Sequence, residues 1–500
     1  MLTAFVLVAV AIVGLTVFLG LRERAYPAAG SVRLGLSRKQ AIARAGAVVR
    51  DLVGVDVSRW RVVTGLWAAD ELLDELNRRG ELDGLRDELE DDGLLVSWRV
   101  RFVGPSGTVL VGLAPGGDVV LLEVDEHVNA EIEPAAGEPW PRRLAGSPSS
   151  VWARACPAGH GEFVEADGAR EVTQWWDASS PPLGVRLGVR SRGGHMREVR
   201  LDARLAADGA RTLTPGQDAL LDAGGTLLSA LAVVAAVVVL VAGDLVVDWA
   251  LAGVFCAAFA AALALVERQA FETGIVAVYE RGMSWRQTRI VSLLASALSG
   301  GVLVAVVGLS ALAGAALARE EGIALWTQPL TQVAWGLALA GIWAALRTLT
   351  QAEGRRRGWL RVAPELEDEA LRAGGHGLRQ VVSLTLQSAI AEETVYRMLA
   401  ISLLSSLMGA PWLAVAVTAA LWALVHGDSG VWPRWPRWIE LGVAGLALGT
   451  VVLEVGFLAA LVAHAAFNAT LLSTPLLAGR GRRLGRALRG RSAPRPRPSA

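Results

Sequence analysis

Cysteine, lysine, histidine and charge in general are all scarce in this 500-residue chain. The two cysteines, Cys156 in a polar region and Cys256 in an apolar run, support no disulfide framework, and neither has metal-ligand spacing. Lys39 is the single lysine, an arginine bias that points to a GC-rich genome more than to function. The 48 basic and 48 acidic residues cancel, so the excess of positive charge that nucleic-acid binding uses is missing. Charged residues make up only 19% of the chain and hydrophobic ones 53%. Soluble domains carry about a quarter charged residues, so this balance excludes an ordinary soluble enzyme.

What the chain does have is apolar residues in blocks. Runs such as LLSALAVVAAVVVLV, residues 227–241, approach the ~20 residues that cross a bilayer. The expected class is mainly α, a polytopic membrane helix bundle, with an N-terminal α+β soluble domain. Residues 2–20 form one apolar run followed by Arg22 and Arg24. A cleaved signal peptide carries its charges before the run, so residues 1–21 read as a retained transmembrane helix. Residues 31–221 change character, with charges, prolines and glycines throughout. Ser37 reads as the N-cap of a helix to Val53. Leu94–Arg101, Val109–Leu113 and Val119–Val124 read as strands separated by PSG and PGGD turns, and Val185–Val189 with Val199–Leu205 as a second sheet. A helix followed by such a meander resembles a PepSY-type module. His127, His160 and His195 in this region show no mutual metal-ligand spacing.

Residues 225–475 are almost continuously apolar, with helices expected at 226–242, 249–266, 290–318, 328–346, 380–408, 411–426, 438–453 and 455–475. The last 25 residues, 476–500, are rich in Arg, Pro and Gly and read as a disordered basic tail. Arg355–Arg357, Arg434, Arg437 and the tail all want the cytoplasmic side by the positive-inside tendency. Counting spans alternately satisfies each of them and places residues 22–225 inside as well. Trp432, Trp435 and Trp438 suit an interfacial belt.

Ionisable groups inside apolar spans cost roughly 2.5–3.5 kcal/mol each on insertion scales, so where they persist they face an interior and usually work. Glu392, Glu393 and Arg397 share one expected helix; His426 ends the next; His464 and Asn468 lie in the last. His464 and Asn468 are four apart and share a helical face. Glu392 and Glu393 diverge by about 100° around an α-helix, while Glu393 and Arg397 stand in the favourable acid-then-base i,i+4 order. That division makes Glu392 the reactive carboxylate and Glu393–Arg397 a charge-compensated support. A buried network that only fixes helix packing, in a scaffold or immunity-type protein, would use the same residue types. So would a proton or ion pathway, although no inverted repeat of the transporter kind is visible.

The three segments also carry a resemblance. EETVYR is similar to the EExxxR motif of the CPBP family, the CAAX proteases and bacteriocin-processing proteins. WALVH resembles its FxxxH motif with Trp422 in place of Phe, and HAAFN its HxxxN motif. The resemblance covers about residues 325–475 and implies an intramembrane protease that hydrolyses a peptide bond in a membrane-associated protein or peptide. Carried over by position, Glu392 and His426 activate water, and His464 and Asn468 stabilise the oxyanion. No cofactor is required in a glutamate mechanism. A Glu with two His and an Asn could instead ligate zinc, although Asn is a poor zinc ligand. HExxH is absent, which excludes the zincin pattern. The GDSG after His426 lacks the β-barrel that would make it a serine-protease segment. The expected location is the cell membrane, with the bilayer itself as a partner.

Overall fold

The computed structural model describes residues 2–26, 35–67, 70–105, 107–125, 127–128, 144–145, 152, 155–164, 170–177, 183–192, 195–205, 215–243, 245–278, 285–363, 378–426 and 430–473. The expected basic tail, the GDSG residues 427–429 and most of the loop after Arg357 lie outside these. The chain forms two compact units. One comprises Met1–Ser31, Thr212–Arg268 and Ala295–Ala500, the other Val32–Arg211 and Gln269–Leu294.

The first helix, α1 (Leu2–Ala25), belongs to the helical unit. The sheet unit then opens with α2 (Arg38–Val48). Ser37 caps it as expected: its hydroxyl accepts the Gln40 N–H, and the Gln40 side chain accepts the Ser37 N–H at 2.9 Å, which satisfies two of the orphan donors at a helix start. The last turn widens into a π-helical stretch, Val49–Val53, and ends at Gly54, whose φ of +77° favours glycine. Strand β1 (Arg61–Trp67), helices α3 (Asp70–Arg79) and α4 (Leu82–Asp91), and strands β2 (Ser97–Gly104), β3 (Gly107–Leu113) and β4 (Val119–Val124) follow. Four more strands complete the unit: β5 (Cys156–Val164), β6 (Arg170–Asp177), β7 (Leu183–Arg192) and β8 (His195–Leu205).

All eight strands form one antiparallel sheet in the order β1-β2-β3-β4-β8-β7-β6-β5. This corrects the expectation of a second sheet. Leu121, Leu122 and Glu123 pair with Arg200, Val199 and Glu198, so β8 extends the first meander. Local pattern finds strands; it does not reveal which edge a distant strand joins.

The chain continues with α5 (Pro215–Ala242), α6 (Trp249–Val278), α7 (Trp285–Glu320) and α8 (Pro329–Arg356). These belong to the helical unit except for Gln269–Leu294, the end of α6 and the start of α7. After the two-residue strand β9 (Arg361–Val362) come α9 (Leu378–Glu392), a π-helical segment Glu393–Ala400, α10 (Ile401–Met408) and α11 (Pro411–Val425). Strand β10 (Val431–Trp432) pairs with β9, and α12 (Trp435–Glu454) and α13 (Phe457–Leu472) complete the described unit. Among the described residues, four helices are long and apolar enough to cross a membrane: Phe5–Ala25, Arg286–Glu320, Pro329–Arg356 and Trp435–Glu454. Helix α8 runs ten residues past its expected end at 346, so Arg355 and Arg356 lie in its last turn, where cations oppose the negative end of the helix dipole.

Glycine decides how α8 is held. A Cβ on Gly14 would stand 2.2 Å from the Gly341 carbonyl oxygen, and one on Gly341 would stand 2.9 Å from the Ala11 Cα, so α1 and α8 meet backbone to backbone. On another side, a Cβ on Gly336 would stand 2.6 Å from the Ala459 carbonyl oxygen of α13. Small residues at such crossings let membrane helices associate without a hydrophobic drive between them. Gly341→Val is therefore expected to destabilise the helical unit by about 1–3 kcal/mol, read as a lowered unfolding temperature in detergent. Gly20→Ala in α1, where a Cβ meets nothing within 4 Å, should leave that temperature unchanged.

Candidate active site

The six residues singled out from sequence come together in the helical unit, on three stretches of helix. The first stretch is not a regular α-helix. Thr394 turns its hydroxyl back onto the Ile390 carbonyl at 2.7 Å and the Ala391 carbonyl at 3.0 Å. Such side-chain bonds compete with the backbone ladder. From Glu393 the helix widens to π geometry through Ala400, a form found mostly as short interruptions at functional sites. The 100° step read from sequence therefore holds up to Glu392 and not beyond it.

Glu392 is anchored through both oxygens. Oε1 accepts the Ser388 hydroxyl at 2.6 Å, and Oε2 accepts the Trp422 indole N–H at 2.7 Å. His426 places Nε2 3.3 Å from the same Oε2, and His464 places Nε2 4.0 Å from it. The end of α11 sets the His426 tautomer. A helix terminus leaves carbonyls without intrahelical partners, and the Trp422 carbonyl lies 2.8 Å from His426 Nδ1. A carbonyl can only accept, so Nδ1 carries the proton. Nε2 then faces the Glu392 carboxylate, and one further proton shared between them satisfies both.

The second carboxylate lies deeper. The Glu393 and His464 side chains are 0% and 4% exposed, against 20% and 33% for Glu392 and His426, so Glu392 and His426 are the more open pair, while His464 lines the cavity with little exposed surface. Glu393 Oε1 accepts His464 Nδ1–H at 2.7 Å, while its Oε2 stands 3.5 Å from Arg397 Nε. The acid–base pair read from the i,i+4 spacing is present, but the closer partner of Glu393 is His464. Arg397 also lies over the Trp422 ring, 4.4 Å from its centroid, a cation–π contact that helps to hold a buried guanidinium. Asn468 Nδ2 donates to Ser388 Oγ at 3.2 Å, linking it to Glu392 through one hydroxyl.

These groups open onto a cavity of about 210 Å³ lined among others by Ser388, Glu392, Trp422, His426, His464 and Asn468. Trp343 stacks on Phe467 with rings 3.7 Å apart and 3° from parallel. Arg347 and Arg437 also line the cavity, and both pair with Glu440, at 3.4 and 2.9 Å. Trp343 donates its N–H to that carboxylate at 3.2 Å, and Arg347 donates Nε–H to the Tyr26 hydroxyl at 2.8 Å.

Sequence reasoning did not single out this wall. The signal was present for Glu440, inside the expected span 438–453, and the criterion applied to Glu392 would have found it. Arg347 falls one residue past the expected end of its helix at 346, so only the longer α8 brings it inside. Ser388 gave no such signal, since a serine in an apolar helix usually satisfies itself on its own backbone.

Chemically, the arrangement holds an anchored carboxylate and an imidazole at one point. A second imidazole and a carboxamide face the same cavity. That set can accept a proton from water and donate hydrogen bonds to a developing anion. The zinc alternative fits poorly. Among the described residues no group of three His, Cys, Asp or Glu side chains is arranged to hold a metal ion, and the Glu392 oxygen nearest both imidazoles already accepts the Trp422 N–H.

Residues 375–470 match the family model of the type II CAAX prenyl endopeptidases, Rce1-like, the CAAX protease family indicated by EETVYR, WALVH and HAAFN. Over 471 residues the chain is 28% identical to the sporulation-killing factor biosynthesis protein SkfC of Bacillus subtilis (strain 168), covering 93% of this chain and 94% of that protein. No solved structure matches.

Proposed function

We propose, taking the Rce1-like CAAX endopeptidase family of the C-terminal segment as premise, that this chain is a multi-pass enzyme of the cell membrane. In this reading it cleaves a membrane-associated peptide or protein with a water activated by Glu392 and His426. The observation that supports this most is the pairing of a partly exposed Glu392–His426 couple with a nearly buried Glu393–His464 couple beside one cavity. A network that served only to fix helix packing has no need of an open carboxylate. Lipid-facing side chains fit the same reading, with Phe5 and Leu330 standing 74% and 85% exposed, which suits hydrocarbon and not water.

In the reaction the water oxygen attacks the scissile carbonyl carbon, and its proton passes to the Glu392–His426 pair. The carbonyl oxygen gains the charge. Asn468 donates to it, and so does His464 from Nε2 once that ring holds its second proton, whose charge the Glu393 carboxylate compensates. Collapse of the intermediate breaks the C–N bond, and the pair returns its proton to the leaving nitrogen. The products are a carboxylic acid and an amine, and no step passes through a metal. The distribution of Arg355–Arg357, Arg434 and Arg437 favours a cytoplasmic position for the His426 end of α11 under the positive-inside tendency. Since the relative acts in the biosynthesis of a killing factor, we read the task as maturation of a specific substrate, with the sheet unit as its recruiting or restraining part.

Mass spectrometry of peptide termini, in membranes from cells with and without the full chain, tests the activity. New termini within or beside apolar segments are expected only where the chain is present; identical termini in both would overturn the reading. In proteoliposomes, processing is expected to persist after treatment with 1,10-phenanthroline. Loss of processing that added zinc restores would remove the metal-free mechanism.

A further inference from the structure

The position at which this chain departs from the FxxxH pattern, Trp422, makes the shortest contact to Glu392 Oε2 of any described side chain. Phenylalanine could keep an aromatic ring at this position, where Trp422 is 2% exposed and packs edge-on against Trp343, with ring centroids 6.1 Å apart. Phenylalanine could not donate a hydrogen bond. The indole N–H does, at 2.7 Å to Glu392 Oε2. The same residue acts on the other member of the couple through its backbone, since its carbonyl accepts His426 Nδ1–H at 2.8 Å. Its ring face carries the Arg397 guanidinium at 4.4 Å and lies 5.9 Å from the His464 ring. Trp422 thus touches or neighbours Glu392, His426, Arg397 and His464.

We infer that Trp422 is a positioning residue for the reaction, its indole N–H fixing the Glu392 carboxylate in the rotamer that faces His426 and stabilising it as an anion. This rests on the reading of Glu392 as the group that activates water. The physical consequence is specific. The N–H holds the carboxylate through a charge-assisted hydrogen bond, which a phenylalanine at 422 cannot supply. A merely space-filling tryptophan would have no such effect.

The test uses the full chain in proteoliposomes, with a peptide substrate identified by the termini comparison. In W422F, kcat is expected to fall on the order of tenfold with KM little changed, the scale of one hydrogen bond to a charged group. Because the smaller ring also loosens packing, a second variant carries benzothienylalanine at 422, which keeps the bicyclic shape and replaces only the N–H with sulfur. It should reproduce the fall in kcat, again with KM little changed, while its unfolding temperature stays at the wild-type value. Benzothienylalanine protein with wild-type kcat overturns the inference, whatever W422F does. Failure of the underlying reading looks different: the wild-type chain itself then processes nothing.

Discussion

Glu392→Gln is expected to lower processing by between about a hundredfold and ten-thousandfold, the range a positioned acid–base group supplies, without disturbing the fold. The second half of that statement follows from the anchors. Glutamine keeps a carbonyl oxygen to accept the Trp422 N–H, and its amide can donate to Ser388 Oγ, because a hydroxyl serves as either donor or acceptor. Both contacts at 2.6–2.7 Å therefore have a neutral counterpart. Only the capacity to take a proton is lost. Turnover measured in proteoliposomes, alongside unfolding temperature and gel-filtration profile in detergent, separates the two effects. Processing within about twofold of wild type in a normally folded Glu392→Gln protein would sink the mechanism as written.

The other large effect is expected at Glu393, where stability and activity are joined. Its side chain is fully enclosed and that of Arg397 is 1% exposed. Glu393→Ala leaves a guanidinium inside the bundle without its counter-ion, a change that costs about 3–5 kcal/mol in comparable buried pairs. It also removes the acceptor that holds His464 Nδ1 at 2.7 Å. Low yield and early thermal unfolding are expected for the single variant. Adding Arg397→Met should recover most of the stability, since a buried pair exchanged for apolar groups is often neutral. Activity should stay absent, because His464 remains unoriented. Recovery of activity together with stability in the double variant would show that Glu393 serves packing alone.

The sequence made the chemistry more legible than the architecture. Charge inside apolar runs is rare and expensive, so Glu392, Glu393, Arg397, His426, His464 and Asn468 could be picked out before any helix was placed. The helices α12 and α13 followed from hydropathy to within a few residues. Hydropathy carries no information about partners. That His464 would sit closer to Glu393 than Arg397 does depends on α13 meeting the π-helical segment, and the π turn depends on the Thr394 hydroxyl. Nor could spacing show that the Trp-for-Phe exchange adds a donor aimed at Glu392. In the sheet unit, α3 and α4 were missed because DELLDELNRR and LDGLRDELED are dense in charge. Leu72, Leu73 and Leu76, and Leu82, Leu85 and Leu89, do recur at helical spacing, but a search for long apolar runs passes over them. The joining of β4 to β8 bridges a long stretch of chain, and local pattern is blind to it.

The contact between Tyr26 and Arg347 ties residues 321 positions apart in the chain, and that distance is also an interval of time. At about 5–20 residues per second, the ribosome needs roughly a quarter of a minute to a minute to reach Arg347 once Tyr26 has been made. Helix α1, long and apolar enough to cross a membrane, is therefore made well before α8, and its Gly14 face stays uncovered until α8 packs against it. The hydroxyl that accepts from the cavity-lining Arg347 is among the first parts synthesised, yet the contact forms only late in biogenesis. Nascent chains halted before Gly341 should leave α1 without its mate, open to quality-control proteases that survey unassembled membrane helices.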